Sequence, residues 1–376
     1  MNPNATNSVL RSAAAHGLPG VQPVAPQEPL DLDSWEALLR AAQWERVVPL
    51  LAQAVIDGTF PATNDQLAEL LDAELQSMGS VLALEAKLVE IADVLDDEEI
   101  PFRVLKGPAL AHLDYPEPAL REFGDIDLLI APNAFDRAVN VLTGLGYCRR
   151  FPEPREGFDR RFSKSVSMVG PDRDELDLHR TLASGGFGQR IIVGMLWSAQ
   201  PAWFTVANHR FAALGIEERF LNACYHMVLG NAPPRLVPQR DLAQMLLGGN
   251  VAHDRVQSLA AAWQGEAVVA HAVTTTWRNL HLTERVPLSA WAAEFRPRHR
   301  ERRELARATS PHYTYAAQAF DSIRAIRNPR DQFAYVSALA FPRSSYLQGR
   351  HAGFAARVRY AVSEVMNSRL VTKENR

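Results

Sequence analysis

Residues 124–130 read Gly-Asp-Ile-Asp-Leu-Leu-Ile, two carboxylates one residue apart on a segment that ends in aliphatics. An extended chain alternates its side chains between faces, so Asp125 and Asp127 share one face while Ile126 and Leu128 share the other. A strand with one covered apolar face accommodates that pattern. Its other face then carries two like charges, which repel unless a cation or a proton intervenes, and a hard divalent ion takes carboxylate oxygens readily. The segment therefore predicts a sheet that presents a metal site, the competing reading being a chance Asp-x-Asp on a solvated strand edge or a turn.

The flanking residues suggest what such a site would serve. Phe102–Leu105 reads as a short buried strand that stops at Lys106-Gly107-Pro108 and runs into the helical pattern Ala109, Leu110, Leu113. Proline suits the first turn of a helix. A helix start offers free N–H groups and a positive dipole end to an anion, so Lys106 and Gly107 are expected to cradle a triphosphate. An ordinary strand-to-helix turn with an exposed lysine is the competing reading. Arg121 follows the turn Tyr115-Pro116-Glu117-Pro118 and is expected to contact a β- or γ-phosphate bidentately, the alternative being a surface arginine that balances Glu122. Downstream, residues 161–169 and 175–179 are expected as an antiparallel hairpin around Gly170-Pro171-Asp172-Arg173-Asp174. On its second strand Glu175, Asp177 and His179 share a face and Leu176 and Leu178 take the core face. A third carboxylate is thus available, from either Glu175 or Asp177.

Together, Lys106-Gly107, Arg121, Gly124-Asp125-x-Asp127 and Leu176-Asp177-Leu178-His179 resemble an uncharacterised nucleotidyltransferase family of the polymerase-β type. Trp35 with Arg46-Val47-Val48-Pro49-Leu50-Leu51, Tyr115-Pro116, Gly146-Tyr147, His226, Asp241 and the late Phe341-Pro342-Arg343 extend the resemblance over most of the chain after about residue 30. It implies an α+β fold, a polymerase-β-like core of mixed sheet and helices flanked by helical lobes. It also implies two Mg²⁺ (or Mn²⁺) ions held by Asp125, Asp127 and Asp177, with Asp177 preferred to Glu175 as the third ligand. Lys106, Gly107, Arg121, Gly124 and His179 would contact the nucleotide, a structural hydrogen-bonding role being the alternative for His179 at its strand end. The implied reaction moves a nucleoside monophosphate from an NTP to an acceptor hydroxyl or phosphate and releases pyrophosphate. A small molecule or peptide of natural-product or antibiotic type is the expected acceptor. RNA 3′ ends, as in toxin-like relatives, and a non-catalytic nucleotide-binding scaffold are the alternatives.

The rest of the chain sets bounds. With 376 residues, 47% of them hydrophobic, it can bury a large core in two or three lobes. A net charge of −3 argues against a globally basic nucleic-acid binder. Two cysteines, Cys148 and Cys224, are too few for a disulfide framework, and no apolar run is long enough to span a bilayer or serve as a secretion signal, so a cytoplasmic protein away from the membrane is expected.

The expected organisation is a flexible leader over 1–30, an N-terminal helical region over 31–98, the nucleotidyltransferase core over 99–215 and a C-terminal helical lobe over 216–376. Leu67, Leu71, Leu75, Met78 and Leu82, continuing through Leu88, Ile91, Val94 and Leu95, predict a long helix whose apolar stripe is core. A helix over 133–145 should end at Gly146. In the helical lobe, beyond which Asn231-Ala232-Pro233-Pro234 marks a break, His226, Arg235, Arg240 and Asp241 are candidate cleft residues; helix-to-helix hydrogen bonding is their competing role. The run Arg296–Arg303 is the strongest charge cluster and reads better as a solvated helix face than as an RNA strip, because acids dilute it and no aromatics interleave it. Tyr313, Tyr315, Phe320, Phe333 and Tyr335 are expected to pack the C-terminal helices. Replacing any of the three aspartates is expected to spare the fold, since it removes clustered like charge.

Overall fold

Seven strands form one mixed sheet in a computed structural model that describes residues 3–21, 24–230 and 233–348. They are β1 (Phe102–Leu105), β2 (Ile126–Ile130), β3 (Cys148–Arg149), β4 (Ser165–Val169), β5 (Glu175–His179), β6 (Ala202–Val206) and β7 (His209–Ala213), in the order β3-β4-β5-β2-β1-β7-β6. β2 runs antiparallel to β1 and parallel to β5, and β1 runs parallel to β7. All five residues of β2 are buried, as befits a central strand covered on both faces.

The alternation read from the sequence decides what covers each face. Ile126, Leu128, Ile130, Leu176 and Leu178 pack with Leu88, Ile91 and Leu95 of the helix Asn64–Asp97 and with Phe135, Ala138 and Leu142 of the helix Phe135–Gly144. On the opposite face Leu105 and Leu129 join a second core built on the helices Ile216–Leu229, Leu236–Leu247 and Glu266–Asn279. The acids therefore face the C-terminal helices across the sheet. Gly146, at φ 91°, ends the helix before β3 in the left-handed conformation that glycine adopts without strain.

Several elements differ from expectation. Residues 3–14, read as part of a leader, form the helix Pro3–Ala14, with Val9, Leu10, Ala13 and Ala14 buried against the helices Leu32–Glu45 and Val48–Ile56. The run Ser12-Ala13-Ala14-Ala15 lets that helix approach closely, so small side chains there signal contact rather than looseness. Residues 158–162 are helical and the strand begins only at Ser165, because Phe158 and Phe162, four apart, close on Tyr335 with ring centroids 5.3 and 5.2 Å away.

The first half of the long helix also departs from the reading. Leu71, Leu75, Met78 and Leu82 are exposed, and only the second half meets the sheet. Likewise Tyr335 is buried as expected, whereas Tyr315, Phe320 and Phe333 are exposed. Asn231-Ala232, within the expected break, lies outside the described residues. Among the described residues no helix is long and apolar enough to cross a membrane.

Candidate active site

Register builds the site. Asp127 lies directly beside Asp177 across the parallel β2–β5 pair, and Leu105, the last residue of β1, lies opposite Asp127 on the other side. Lys106 is the next residue. Its Nζ donates to Asp127 at 2.8 Å, and both side chains are buried. Lys106 adopts φ 46°, ψ −120°, a conformation that non-glycine residues rarely occupy and that costs of order 1–3 kcal/mol. The ion pair and the packing of the next residue hold it there: a side chain on Gly107 would meet the Phe123 ring at 2.9 Å.

His179, at the end of β5, completes the group. Its Nε2 lies 2.5 Å from Asp127 Oδ1 and 4.0 Å from Asp177, and its Nδ1 is 3.3 Å from the Thr181 carbonyl oxygen. Asp127, Asp177 and His179 each offer an atom within 4.8 Å of the others, a spacing that a single metal ion can bridge. Two carboxylate oxygens and an imidazole nitrogen suit a divalent cation. Asp125 sits at the mouth of β2, outside this trio. Glu175, the alternative third acid, is exposed and paired with Arg150 at 2.8 Å.

The electrostatics divide the acids. Burial alone would push the Asp127 carboxyl up, but the charge of Lys106, the His179 hydrogen bond and the charge of Lys164 together outweigh it and hold it well below the usual carboxylate range. Burial and the neighbouring charge of Asp127 push Asp125 up, against Lys106 and Arg46. Burial would lower the Lys106 ammonium, yet Asp127 and Asp125 keep it raised. The imidazole of His179 is driven down by burial, against the pull of Asp127, so it is neutral and carries its proton on the nitrogen that faces the carboxylate.

Three further groups sit in the same field, of which His226 is among the expected cleft residues and Lys164 and Arg46 are not. Lys164, just before β4, has its ammonium lowered by burial and by the charge of Lys106. Arg46 ends the helix Leu32–Glu45 at φ 56° and lays its guanidinium over Gly124, where any side chain would collide with it. His226, from the facing helix Ile216–Leu229, is held neutral by burial and by the charges of Lys106 and Lys164. Spacing along the chain did not signal the roles of Lys164 and Arg46, since each comes from a different element.

Other expected site residues are engaged elsewhere. Arg121 was expected to meet a phosphate; its Nε and Nη2 instead close on Asp241 at 3.1 and 2.8 Å, its Nη1 donates to the Glu122 carbonyl, and Tyr115 Oη donates to the same Asp241 at 2.8 Å. This buried clamp ties the turn before β2 to the helix Leu236–Leu247 and leaves the fork no room for a ligand. Arg240 is likewise structural, donating to the carbonyls of Ala14 and His16 and to Gln244. Arg235 stacks on the exposed Trp44, 4.5 Å from the ring centroid. Among the cleft candidates, Arg240 thus plays the helix-to-helix role, Asp241 holds the turn before β2, and His226 faces the acids.

A family described as an uncharacterised nucleotidyltransferase matches residues 31–280, so the clamp, the acids and the facing helix all lie within the match and Phe341-Pro342-Arg343 lies beyond it. No curated protein matches the chain.

Proposed function

Because the chain belongs to this uncharacterised nucleotidyltransferase family, we propose that it moves a nucleoside monophosphate from an NTP to an acceptor hydroxyl or phosphate, with release of pyrophosphate, on a polymerase-β-like core. The observation that carries the reading is the register of β2 between β1 and β5, by which Asp127 gains Asp177 on one side and Lys106 on the other. Two divalent ions bound there, Mg²⁺ by preference, would neutralise charge that grows on the attacking, leaving and equatorial oxygens.

The chain's own groups then take these roles. Asp125, Asp127 and Asp177 would hold the ions, and Asp177, the most accessible of the Asp127, Asp177 and His179 trio at 27% exposure, lies nearest the acceptor and helps draw off its proton. His179 presents Nε2 once its proton moves to Nδ1, for which the Thr181 carbonyl is the acceptor. Lys106, with Lys164 and Arg46, supplies fixed positive charge for the triphosphate, and Gly107 and Gly124 make room for the Phe123 ring and the Arg46 guanidinium that border it. Arg121 has no part in phosphate contact and serves as a clamp. The acceptor is a small molecule or a peptide, in keeping with a net charge of −3.

A second reading rests on one observation: Lys106 already neutralises Asp127, as it would in a scaffold that binds nucleotide without turning it over. Thermal melting with each of the four NTPs, in Mg²⁺ and in EDTA, tests the site on wild type and on Asp125→Asn/Asp177→Asn. At a hundredfold over its Kd a ligand of the folded state adds about 2.7 kcal/mol. Stabilisation by an NTP that needs both Mg²⁺ and the acids is expected; stabilisation that survives EDTA and the double substitution would sink the metal-dependent reading.

A further inference from the structure

We propose a second ligand site, sharing no residue with the paired acids, in the arginine-lined cavity between the helices Gly185–Arg190, His299–Ala308 and Tyr315–Ala325, and we assign it a small phosphorylated molecule. The cavity has a volume of about 200 Å³. The inference does not rest on the transfer reaction.

The cavity is built on two neutralised pairs. Arg190 closes on Glu304 at 2.7 and 3.1 Å, and Arg307 closes on Asp321 at 2.5 and 2.9 Å, with Tyr313 Oη donating to the same carboxylate at 3.0 Å. These pairs use up both acids that line the cavity. Arg300, Arg303 and Arg324 line it as well and have no carboxylate partner among the described residues. Three guanidinium charges of one sign thus face one small space, with Arg324 held beside the Phe320 ring, 5.5 Å from its centroid.

A second observation lies at the floor. The Arg190 side chain is 9% exposed and its Nε is buried without a hydrogen-bond partner, although Arg190 lines both this cavity and a neighbouring one of about 460 Å³. A buried donor without an acceptor costs about 1–3 kcal/mol, and an anion that enters between the helices would supply the acceptor.

The chemistry points to phosphate. Guanidinium forks grip phosphate oxygens bidentately, and three uncompensated charges match a phosphate monoester or a pyrophosphate better than a lone carboxylate. The volume suits a compact ligand. Glu301 and Glu304 on the wall of the adjoining cavity, together with the chain's net negative charge, disfavour a continuous polyanion such as RNA.

Isothermal titration of the full chain in EDTA with inorganic pyrophosphate, with inorganic phosphate and with a ten-residue oligouridylate lacking a terminal phosphate tests the site. Wild type is compared with Arg300→Ala/Arg303→Ala and with Arg324→Ala. All three arginines are exposed, so these variants should keep the wild-type melting temperature. Expected is pyrophosphate binding by wild type, weakened at least tenfold in the double variant and less in Arg324→Ala. No pyrophosphate binding by folded wild type, or equal binding by the double variant, overturns the proposal. Oligouridylate that binds tenfold more tightly than pyrophosphate and loses that affinity in the same variants would overturn the small ligand in favour of nucleic acid.

Discussion

Asp127 and Asp177 are neighbours with the same side chain, yet their surroundings make them unequal. Asp127 is 1% exposed and carries the charge of buried Lys106, so its removal strands an ammonium in the interior. Breaking a buried pair in this way costs about 3–5 kcal/mol. Asp127→Asn should therefore destabilise the protein by that amount in urea, and Asp177→Asn by less than about 1 kcal/mol. This reverses the expectation that every aspartate could be replaced without harm to the fold. Equal midpoints for the two variants would show that Lys106 does not depend on Asp127. The two-residue period of the sequence placed both acids on one face, but the counter-charge was invisible because it lies 21 residues earlier and arrives only through the β1–β2 register. The Arg121 clamp escaped for a similar reason, its partner being 120 residues away.

Within elements, periodicity revealed type better than surroundings. The long helix was legible from its apolar spacing, and its start is fixed by Thr63 and Gln66, which satisfy each other's backbone in a capping box. Its spacing does not distinguish the half that meets the sheet from the half that meets water. Leu75→Gln, at 62% exposure, should change stability by no more than about 0.5 kcal/mol. Leu88→Ala, in the half that packs on the sheet, should cost about 2–5 kcal/mol. Chemical denaturation of the two variants checks the contrast, and a large loss at Leu75 would mean that the exposed stripe is covered in solution. Arg161 and Phe162 misled for the opposite reason: they were expected to begin a strand, and aromatic contact of Phe158 and Phe162 with Tyr335 makes them the end of a helix.

The whole molecule brings cations around a neutral imidazole. His226 faces Lys106, Lys164 and Arg121, as well as Asp127, and its pKa lies well below the ordinary value of about 6.5. A depressed histidine binds its proton more weakly when folded than when unfolded. Stability is therefore fully present above pH 6.5 and falls as the pH drops toward the folded value. His226→Gln, which cannot titrate, should lose less stability than wild type between pH 7 and pH 5, measured from urea midpoints. Parallel pH profiles would exclude His226 as a source of the acid sensitivity.

At the same scale, the helix Pro3–Ala14 is closed by a contact that spans more than half of the chain, since the Ala14 carbonyl receives its hydrogen bond from Arg240, 226 residues later. A ribosome that adds about 5–20 residues per second needs roughly 11–45 s to make the intervening chain. Throughout that interval Val9, Leu10 and Ala13 have no complete surface to cover. This helix can thus begin to pack on the helices Leu32–Glu45 and Val48–Ile56 soon after they are made, but a nascent chain halted before Arg240 leaves its remaining apolar side uncovered.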